Sequence, residues 1–502
     1  MICPTPIYQA KVIQDWERRW FANNSAYGLM QQAALALSNQ LICLIHQHDI
    51  GHANIVICCG VGNNGGDGYL VAKYLQQQLE KTCAQIQIFA PNPPHSHDAK
   101  LARAEAIAAG IEIIDKLDNR HQKFAHSIYI DALFGNGLNK ALSDDYQALI
   151  QTFNQQSGLK IAIDVPSGLH PDTGMALPIC TSVDYTLCLM GLKIGLFTGV
   201  AKAHVGQIIN LPLIAKDNQL NTCAYLSQNP RLQKRNPTSH KGDFGSVAVV
   251  GGFDGMGGAA IMAAAAAMAV GAGKVTIYCH KAYHNAALAY LPSVMVQDIE
   301  NSDVFSKEFD AICFGMGLGR SEASSKLYDQ FIKKLLLCGQ HQSTPIILDA
   351  DALYFMAQLE TQIKPPRTHD NWICTPHTGE AGRLLGISAD AVTQDRLSAI
   401  KALKKRYGGS WILKGANTLS LHHDDDAVFV CPFGNAGMAT AGMGDVLAGM
   451  MAGLCAQPLS PSLADMVSLH ALAGDKLASQ TPVVSACDMP NAIKQVIKTL
   501  TI

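Results

Sequence analysis

Asp445 stands directly behind Gly442-Met443-Gly444 in the stretch GNAGMATAGMGDVLAGMMAGLCA, where glycines run up to the aspartate and an apolar, helix-like segment follows at once. Backbone amides at such a turn form an anion hole, and an aspartate beside it can take a proton from an attacking hydroxyl. The competing reading makes Asp445 a plain helix cap, but a cap needs no run of glycines before it. Asp349 and Asp351 follow the apolar run PIIL; Thr375, His377 and Glu380 follow WIC; Lys414, Asn417 and Thr418 follow SWIL. Ligands of open α/β sheets bind beyond the carboxyl ends of the strands, so these groups are expected to converge. Taken singly, His377 reads as a structural histidine and Asp351 as a cap. The glycine-rich turns GGFDGMGGAA (251–260) and GMGLGR (315–320) are ambiguous alone, and the lack of GxxxxGK[ST] excludes a P-loop enzyme.

A second constellation lies in the first half. GVGNNGGDG (60–68) follows the apolar run IVICC and opens the amphipathic segment YLVAKYLQQQL, which places backbone amides at a helix N-terminus, a site for an anion. A dinucleotide fingerprint would continue with an acid about twenty residues on, at the end of the next strand. The sequence there is IQIFAPNPPHSHD, which argues against an ordinary nicotinamide-linked dehydrogenase. The next two strands end in Asp131 (IDALFGNGL) and Asp164 (IDVPSGL), expected to face the same crevice as Asn63, Asn64 and Asp67. These acids, with oxygens from Asn64 and Ser167, could hold a hard cation, while each acid alone reads as a cap or an Asx turn.

The elements that must carry these residues are short apolar runs ending in Gly, Asp or Asn, with helix-like segments between them. That alternation predicts parallel sheets covered on both faces. It breaks after IINLPLIA, gives way to the polar stretch SQNPRLQKRNPTSHKGD, and restarts at SVAVVGG. A domain boundary is therefore expected near residues 215–235, with domains over 1–220 and 228–502. No internal repeat relates the halves, so they are two different α/β domains. With 48% apolar and 16% charged residues, the 502-residue chain can bury large cores. Its 38 Lys+Arg against 40 Asp+Glu leave no positive excess for a phosphate backbone, so nucleic acid is excluded as a partner. Fifteen scattered cysteines without Cys-x-x-Cys spacing read as buried thiols in a reducing compartment. No run approaches eighteen strongly apolar residues and the N-terminus has no apolar leader core, so no membrane partner and a cytoplasmic location are expected.

The motifs GNNGGDG, DALFGNGL, DVPSGLHPDTG and GLKIGLFTGVAKAHVGQI, over most of residues 10–215, resemble the epimerase half of the bifunctional NAD(P)H-hydrate repair enzymes. The segments SHKGDFGSVAVVGG, GMGLG, LDADAL, TPHTGE, LKGANT and NAGMATAGMGDVLAG, over roughly 225–500, resemble the ADP-dependent dehydratases of the ribokinase-like superfamily. The resemblance implies a Rossmann-like parallel-sheet domain followed by a ribokinase-like α/β/α sandwich. It implies epimerisation of the (R) and (S) hydrates of NADH and NADPH, then dehydration of the (S) form with ADP, giving AMP and phosphate. By motif, Asn63, Asn64, Gly65, Gly66 and Asp67 with the loop Gly135, Asn136, Gly137, Leu138, Asn139, Lys140 and Ala141 would contact the epimerase substrate. Asp164 would be a polar group near the reacting ring, and Asn64, Asp131 and Ser167 would bind potassium. In the second half, Ala259, Gly317 and His377 would contact the hydrate, Lys414, Gly415, Ala416, Asn417, Thr418 and Gly444 the nucleotide, and Asp445 would be the base. Magnesium would bridge the donor phosphates. The partners implied are these small molecules, and a homo-oligomer is expected.

Three positions depart from the family pattern: Met443 stands where Thr is common, Met316 where Pro is usual and Ser293 where Glu is usual. The alternative reading is a vitamin-precursor kinase of the same superfamily, acting on a thiazole or pyrimidine alcohol, fused to a non-catalytic Rossmann-like interaction module. The intact Asn64, Asp67, Asp131, Asp164 and Ser167 speak against a degenerate first half.

Overall fold

A computed structural model describes residues 4–50, 53–79, 85–117, 126–253, 255–302, 308–337, 343–359 and 370–500. The chain divides into two compact units, Pro6–Ala224 and Tyr225–Ile502, the second also taking in Met1–Thr5.

The first unit is built on a seven-stranded sheet in the order Glu112–Ile114, Gln85–Phe89, Ala53–Cys59, His126–Ala132, Leu159–Ile163, Tyr185–Leu189, Gln207–Leu211. Every pairing is parallel. Successive residues of one strand are buried on opposite faces. Ile55, Ile57 and Cys59 join the helices Ala26–Gln47 and Asn63–Leu79 in one core, while Val56 and Cys58 join Ile150 and Phe153 of the helix Asp144–Gln155 in another. That two-sided burial is why the strands read as continuous apolar runs. The strand order reverses between Ala53–Cys59 and His126–Ala132, so the ligand crevice of such a sheet falls at Gly60 and Leu133.

The helix Ala26–Gln47 is 22 residues long and apolar enough by length and composition to cross a membrane. Its Leu29, Leu37, Leu41 and Leu44 instead pack in the core with the sheet. One sequence expectation is corrected here. The glycine-rich segment is not a loop ahead of a helix at Tyr69; the helix begins at Asn63 and includes all of NNGGDG. Glycine is needed because the helix lies almost on the sheet. A Cβ on Gly65 would sit 2.0 Å from the Gly60 carbonyl oxygen, and one on Gly68 2.7 Å from the Ala132 Cβ.

The second unit holds a sheet in the order Met295–Asp298, Lys274–Cys279, Ser246–Val250, Ala311–Phe314, Ile346–Leu348, Trp372–Cys374, Ser410–Leu413, all parallel, then Leu419–Leu421 and Val428–Val430 antiparallel. The short strand Ala224–Leu226 runs parallel to Val428–Val430. The alanine-rich helix Gly257–Ala269 and the helix Met443–Cys455 share one face with Val247 and Val249. Gly449 lets them touch, since a Cβ there would lie 2.0 Å from the Ala263 carbonyl oxygen. On the other face Phe314 stacks on Phe331, centroids 3.7 Å apart. The order reverses between Ser246–Val250 and Ala311–Phe314, which sets the crevice at Gly251 and Gly315.

Candidate active sites

In the first unit Asp131 ties the carboxyl ends of the strands His126–Ala132 and Leu159–Ile163 to the segment that leads into Tyr185–Leu189. This carboxylate is fully buried and accepts from the Ser167 amide (2.8 Å), the Ser167 hydroxyl (2.6 Å), the Thr181 hydroxyl (2.6 Å) and the Leu133 amide (3.1 Å). Burial raises its pKa, and the hydroxyl donors Ser167 and Thr181 oppose that rise. No cationic side chain contacts it among the described residues, so a buried negative charge is met by neutral donors only. The Ser167 hydroxyl also accepts from the Phe134 amide at 2.8 Å.

Asp164 follows the strand Leu159–Ile163 with φ 68°, a left-handed conformation that aims its carboxylate back over the sheet edge. One oxygen accepts from the Asn136 amide (3.0 Å) and the other from the Leu189 amide (3.2 Å) and the Lys193 ammonium. Lys193 is 1% exposed. Burial lowers its pKa, but the charge and hydrogen bond of Asp164, with Cys188 and Glu17, together hold the ammonium above its ordinary range. A Cβ on Gly135 would lie 3.0 Å from Asn64 Oδ1 and 3.2 Å from Asp164 Oδ2, so those two oxygens flank one bare patch of backbone. Asp67, in the second turn of the Asn63 helix, has no hydrogen bond to its carboxyl among the described residues. Burial, and then the Asp164 and Glu17 charges, hold it well above the carboxylate range. Asn63 accepts from the Ser96 hydroxyl at 2.8 Å. Asn136 anchors the Gly135 loop to Gln14, which donates to its carbonyl at 3.0 Å, while Gly137, Asn139, Lys140 and Ala141 are exposed.

Sequence reasoning gave no role to Lys193 or Glu17. Glu17 lies one turn beyond Gln14 on the helix Ala10–Phe21, and burial pushes its carboxyl up to about 7, with Lys193 pulling it down and Asp164 adding to the rise. Glu17 stands in no motif, and Lys193, although inside the motif GLKIGLFTGVAKAHVGQI, was visible there only as a lone lysine in the apolar run GLKIGLF.

The second unit gathers its groups around Asp349. One oxygen of this buried carboxylate accepts from Lys414 Nζ (2.6 Å) and the Thr375 hydroxyl (2.8 Å). The other has no donor among the described residues, and a Cβ on Gly444 would lie 3.3 Å from it and 3.2 Å from Lys414 Nζ. Glu380 stands 4.0 Å from Lys414 and is pushed up to about 7 by burial, against the pull of Lys414. Burial lowers the Lys414 pKa, but Asp349 and Glu380 more than compensate and keep it charged. Asp445 is the third residue of the helix Met443–Cys455, whose N-cap is Gly442 at φ 93°. It is therefore not the cap, and no hydrogen bond ties its carboxylate among the described residues. Burial and then Asp349 push it up to about 7, with Lys414 pulling down.

His377 is the N-cap of the helix Thr378–Leu385, accepting from the Gly379 amide at 3.0 Å while Glu380 accepts from the His377 amide at 2.8 Å. The structural role read for it holds, and its side chain remains 59% exposed for a ligand. Asp351 accepts from the Gly319 amide (2.9 Å) and Arg320 (3.1 Å), so it is engaged where Asp445 is free. Gly317, at φ 58°, adjoins Ala259: a Cβ on it would lie 3.0 Å from that of Ala259.

Both halves match described families: residues 247–496 the NAD(P)H-hydrate dehydratase family, and residues 26–195 the family described as the YjeF-related protein N-terminus. A bifunctional NAD(P)H-hydrate repair enzyme of Coxiella burnetii is 34% identical over 95% of this chain and 96% of its own length. One of Escherichia coli is 35% identical over 88% and 84%. The chain belongs to the bifunctional NAD(P)H-hydrate repair enzyme family. A solved structure from Bacillus subtilis, described as an ADP/ATP-dependent NAD(P)H-hydrate dehydratase co-crystallised with ATP and Mg2+, is 25% identical with TM-score 0.46, covering 54% of this chain and 95% of that one. Within the repair family, the departure at Met316 is a packing matter here: its side chain is fully buried beneath the crevice.

Proposed function

We propose that this chain repairs hydrated nicotinamide cofactors in two steps, one in each unit. Family membership over nearly the whole chain supports both activities. The observation that carries the assignment is the pairing of a free, half-buried Asp445 with the Asp349–Lys414 ion pair at one strand edge.

In the first unit the substrate is a hydrate bearing a hydroxyl at C6, next to the ring nitrogen. That hemiaminal can lose hydroxide or open to an aldehyde and close on the opposite face, and either route moves a proton. Asp164, ion-paired with Lys193, is the carboxylate beside the ring; Asp67 and Glu17 are held toward the neutral form and supply protons. Asn63, Asn64, Gly65, Gly66 and the loop from Gly135 to Ala141 line the substrate. Asn64, Asp131 and Ser167 offer oxygen ligands, and the buried Asp131 carboxylate has no cationic partner among the described residues, which fits a hard monovalent cation. Asn64 would ligate through its amide oxygen; its buried amide nitrogen, which has no partner among the described residues, is a donor and does not contribute to a cation site. Potassium held there would supply a fixed positive charge beside the substrate.

In the second unit Asp445 takes the C6 hydroxyl proton and the oxygen attacks the terminal phosphate of ADP. The O–P bond forms and AMP leaves. The ring-nitrogen lone pair then expels phosphate, and loss of a C5 proton restores the dihydropyridine. Lys414, Gly415, Ala416, Asn417, Thr418 and the Gly444 turn hold the nucleotide; Ala259, Gly317 and His377 hold the hydrate. Magnesium, bound mainly through phosphates and water, would find a carboxylate in Asp349, whose second oxygen is free; it would neutralise charge on the donor phosphates.

The test is to incubate the protein with mixed hydrate epimers and ADP, with and without potassium and magnesium, following the reduced-nicotinamide absorbance. Both epimers should convert fully with ADP consumed. A stable phosphorylated alcohol with no regained absorbance would favour the kinase reading.

A further inference from the structure

The loop Lys414–Thr418 joins the strands Ser410–Leu413 and Leu419–Leu421, which pair antiparallel with Leu413 opposite Leu419. Behind it sits Arg396, the first residue of the helix Arg396–Tyr407, only 4% exposed. One guanidinium nitrogen donates to the carbonyls of Ala416 and Asn417, the latter at 3.3 Å. The other donates to the carbonyls of Leu413 (2.9 Å) and Lys414 (3.3 Å). No carboxylate pairs with it among the described residues, and its Nε has no partner. Burying a cation against neutral carbonyls is costly, and burial alone pushes this guanidinium down to about 10.

The arrangement has a geometric consequence. Three carbonyls of the loop, and that of Leu413 just before it, turn to one side, toward the fork. The amides of Gly415, Ala416 and Asn417 donate to no acceptor among the described residues, and Gly415 and Ala416 are exposed. Gly415 at φ 143° and Asn417 at φ 53° hold backbone conformations that ordinary residues avoid. Successive free amides of this kind form an anion-binding nest, and Lys414 lies at its start.

We propose that Arg396 is the positioning residue of the nucleotide site: its fork gathers the carbonyls of Leu413, Lys414, Ala416 and Asn417 and so presents the amides of Gly415 to Asn417 to the anionic nucleotide. The proposal rests on reading Lys414–Thr418 as the nucleotide loop. Lysine keeps the charge but has no planar fork to span four carbonyls.

The experiment uses the full chain and compares wild type with Arg396→Lys. The readouts are ADP affinity by calorimetry, kcat and KM for ADP and for hydrate, and hydrogen exchange at residues 414–418 with and without ADP. In the wild type ADP should protect the amides of Gly415 to Asn417. In Arg396→Lys the KM for ADP should rise about tenfold or more, with kcat and the KM for hydrate little changed and the ADP-induced protection lost. Epimerase activity should be unaffected. No protection in the wild type would overturn the loop reading and the proposal with it. Protection in the wild type with unchanged ADP affinity in Arg396→Lys would overturn the role of Arg396 alone. If that variant does not fold, Gly415→Ala serves instead, because its Cβ would lie 3.1 Å from the Arg396 fork. It should show the same rise in KM for ADP, and an unchanged KM would overturn the proposal.

Discussion

Asp445, proposed as the base, lies past the N-cap Gly442, although in the sequence the base and cap readings start from the same residue. Its place behind Gly442-Met443-Gly444 was legible in the sequence, because a glycine run ahead of an acid and an apolar helix is a local pattern. Its protonation behaviour was not, since that comes from burial and from the charges of Asp349 and Lys414, which stand at the ends of other strands, well back along the chain from the turn. Asp445→Asn keeps the shape and leaves the cap, Gly442, untouched. The variant should lose roughly 10²–10⁴ in dehydratase kcat while ADP affinity and epimerase activity stay near wild type. The wild-type profile has a definite sign. A base pushed up to about 7 is protonated below that pH, so dehydratase kcat/KM should fall about tenfold per unit on the acid side and level off above. Near-wild-type turnover in the Asn variant would move the base elsewhere, although Asp351, held by Gly319 and Arg320, is a poor substitute.

At the scale of elements, the parallel strands were readable because burial on both faces leaves unbroken apolar runs. The start of the Asn63–Leu79 helix was not, because glycines that read as a turn in sequence are here the contact surface of a helix pressed onto strand ends. Lys193 escaped for a related reason. It lies on the two-residue strand Leu192–Lys193, and only the folded chain brings it to Asp164, which no local spacing announces. Replacing one member of a buried pair leaves the other charge uncompensated, at a cost of about 3–5 kcal/mol. Lys193→Met should therefore lower the melting temperature and remove epimerase activity, while dehydratase activity persists at temperatures where the protein is folded. Adding Asp164→Asn should recover part of the stability without the activity. Full epimerase activity in the folded single variant would mean that the pair only holds the fold.

For the whole molecule, each unit has hydrophobic cores of its own, and the stretch between the expected domains carries a detail the sequence did not announce. The strand Ala224–Leu226 lies between the expected domains 1–220 and 228–502, and it hydrogen-bonds along Val428–Val430 with Tyr225 opposite Phe429, ring centroids 5.6 Å apart. Only three residues long, it has no periodicity to read, and the polar stretch beginning at Ser227 masks it. A fragment beginning at residue 228 would lack this strand and leave the backbone of Val428–Val430 without that partner; Leu419–Leu421 and Val428–Val430 continue directly from the Lys414–Thr418 loop. We therefore expect a fragment of residues 223–502 to be more stable than one of residues 228–502 and to bind ADP more tightly. The first fragment, 1–220, should epimerise hydrates without ADP, since the groups proposed for that step, from Glu17 to Lys193, all lie within it. The measurement is thermal unfolding and ADP binding of both C-terminal fragments side by side, with epimerase assays on the N-terminal one. Equal stability and affinity in the two C-terminal fragments would show that the strand Ala224–Leu226 is dispensable for the nucleotide site.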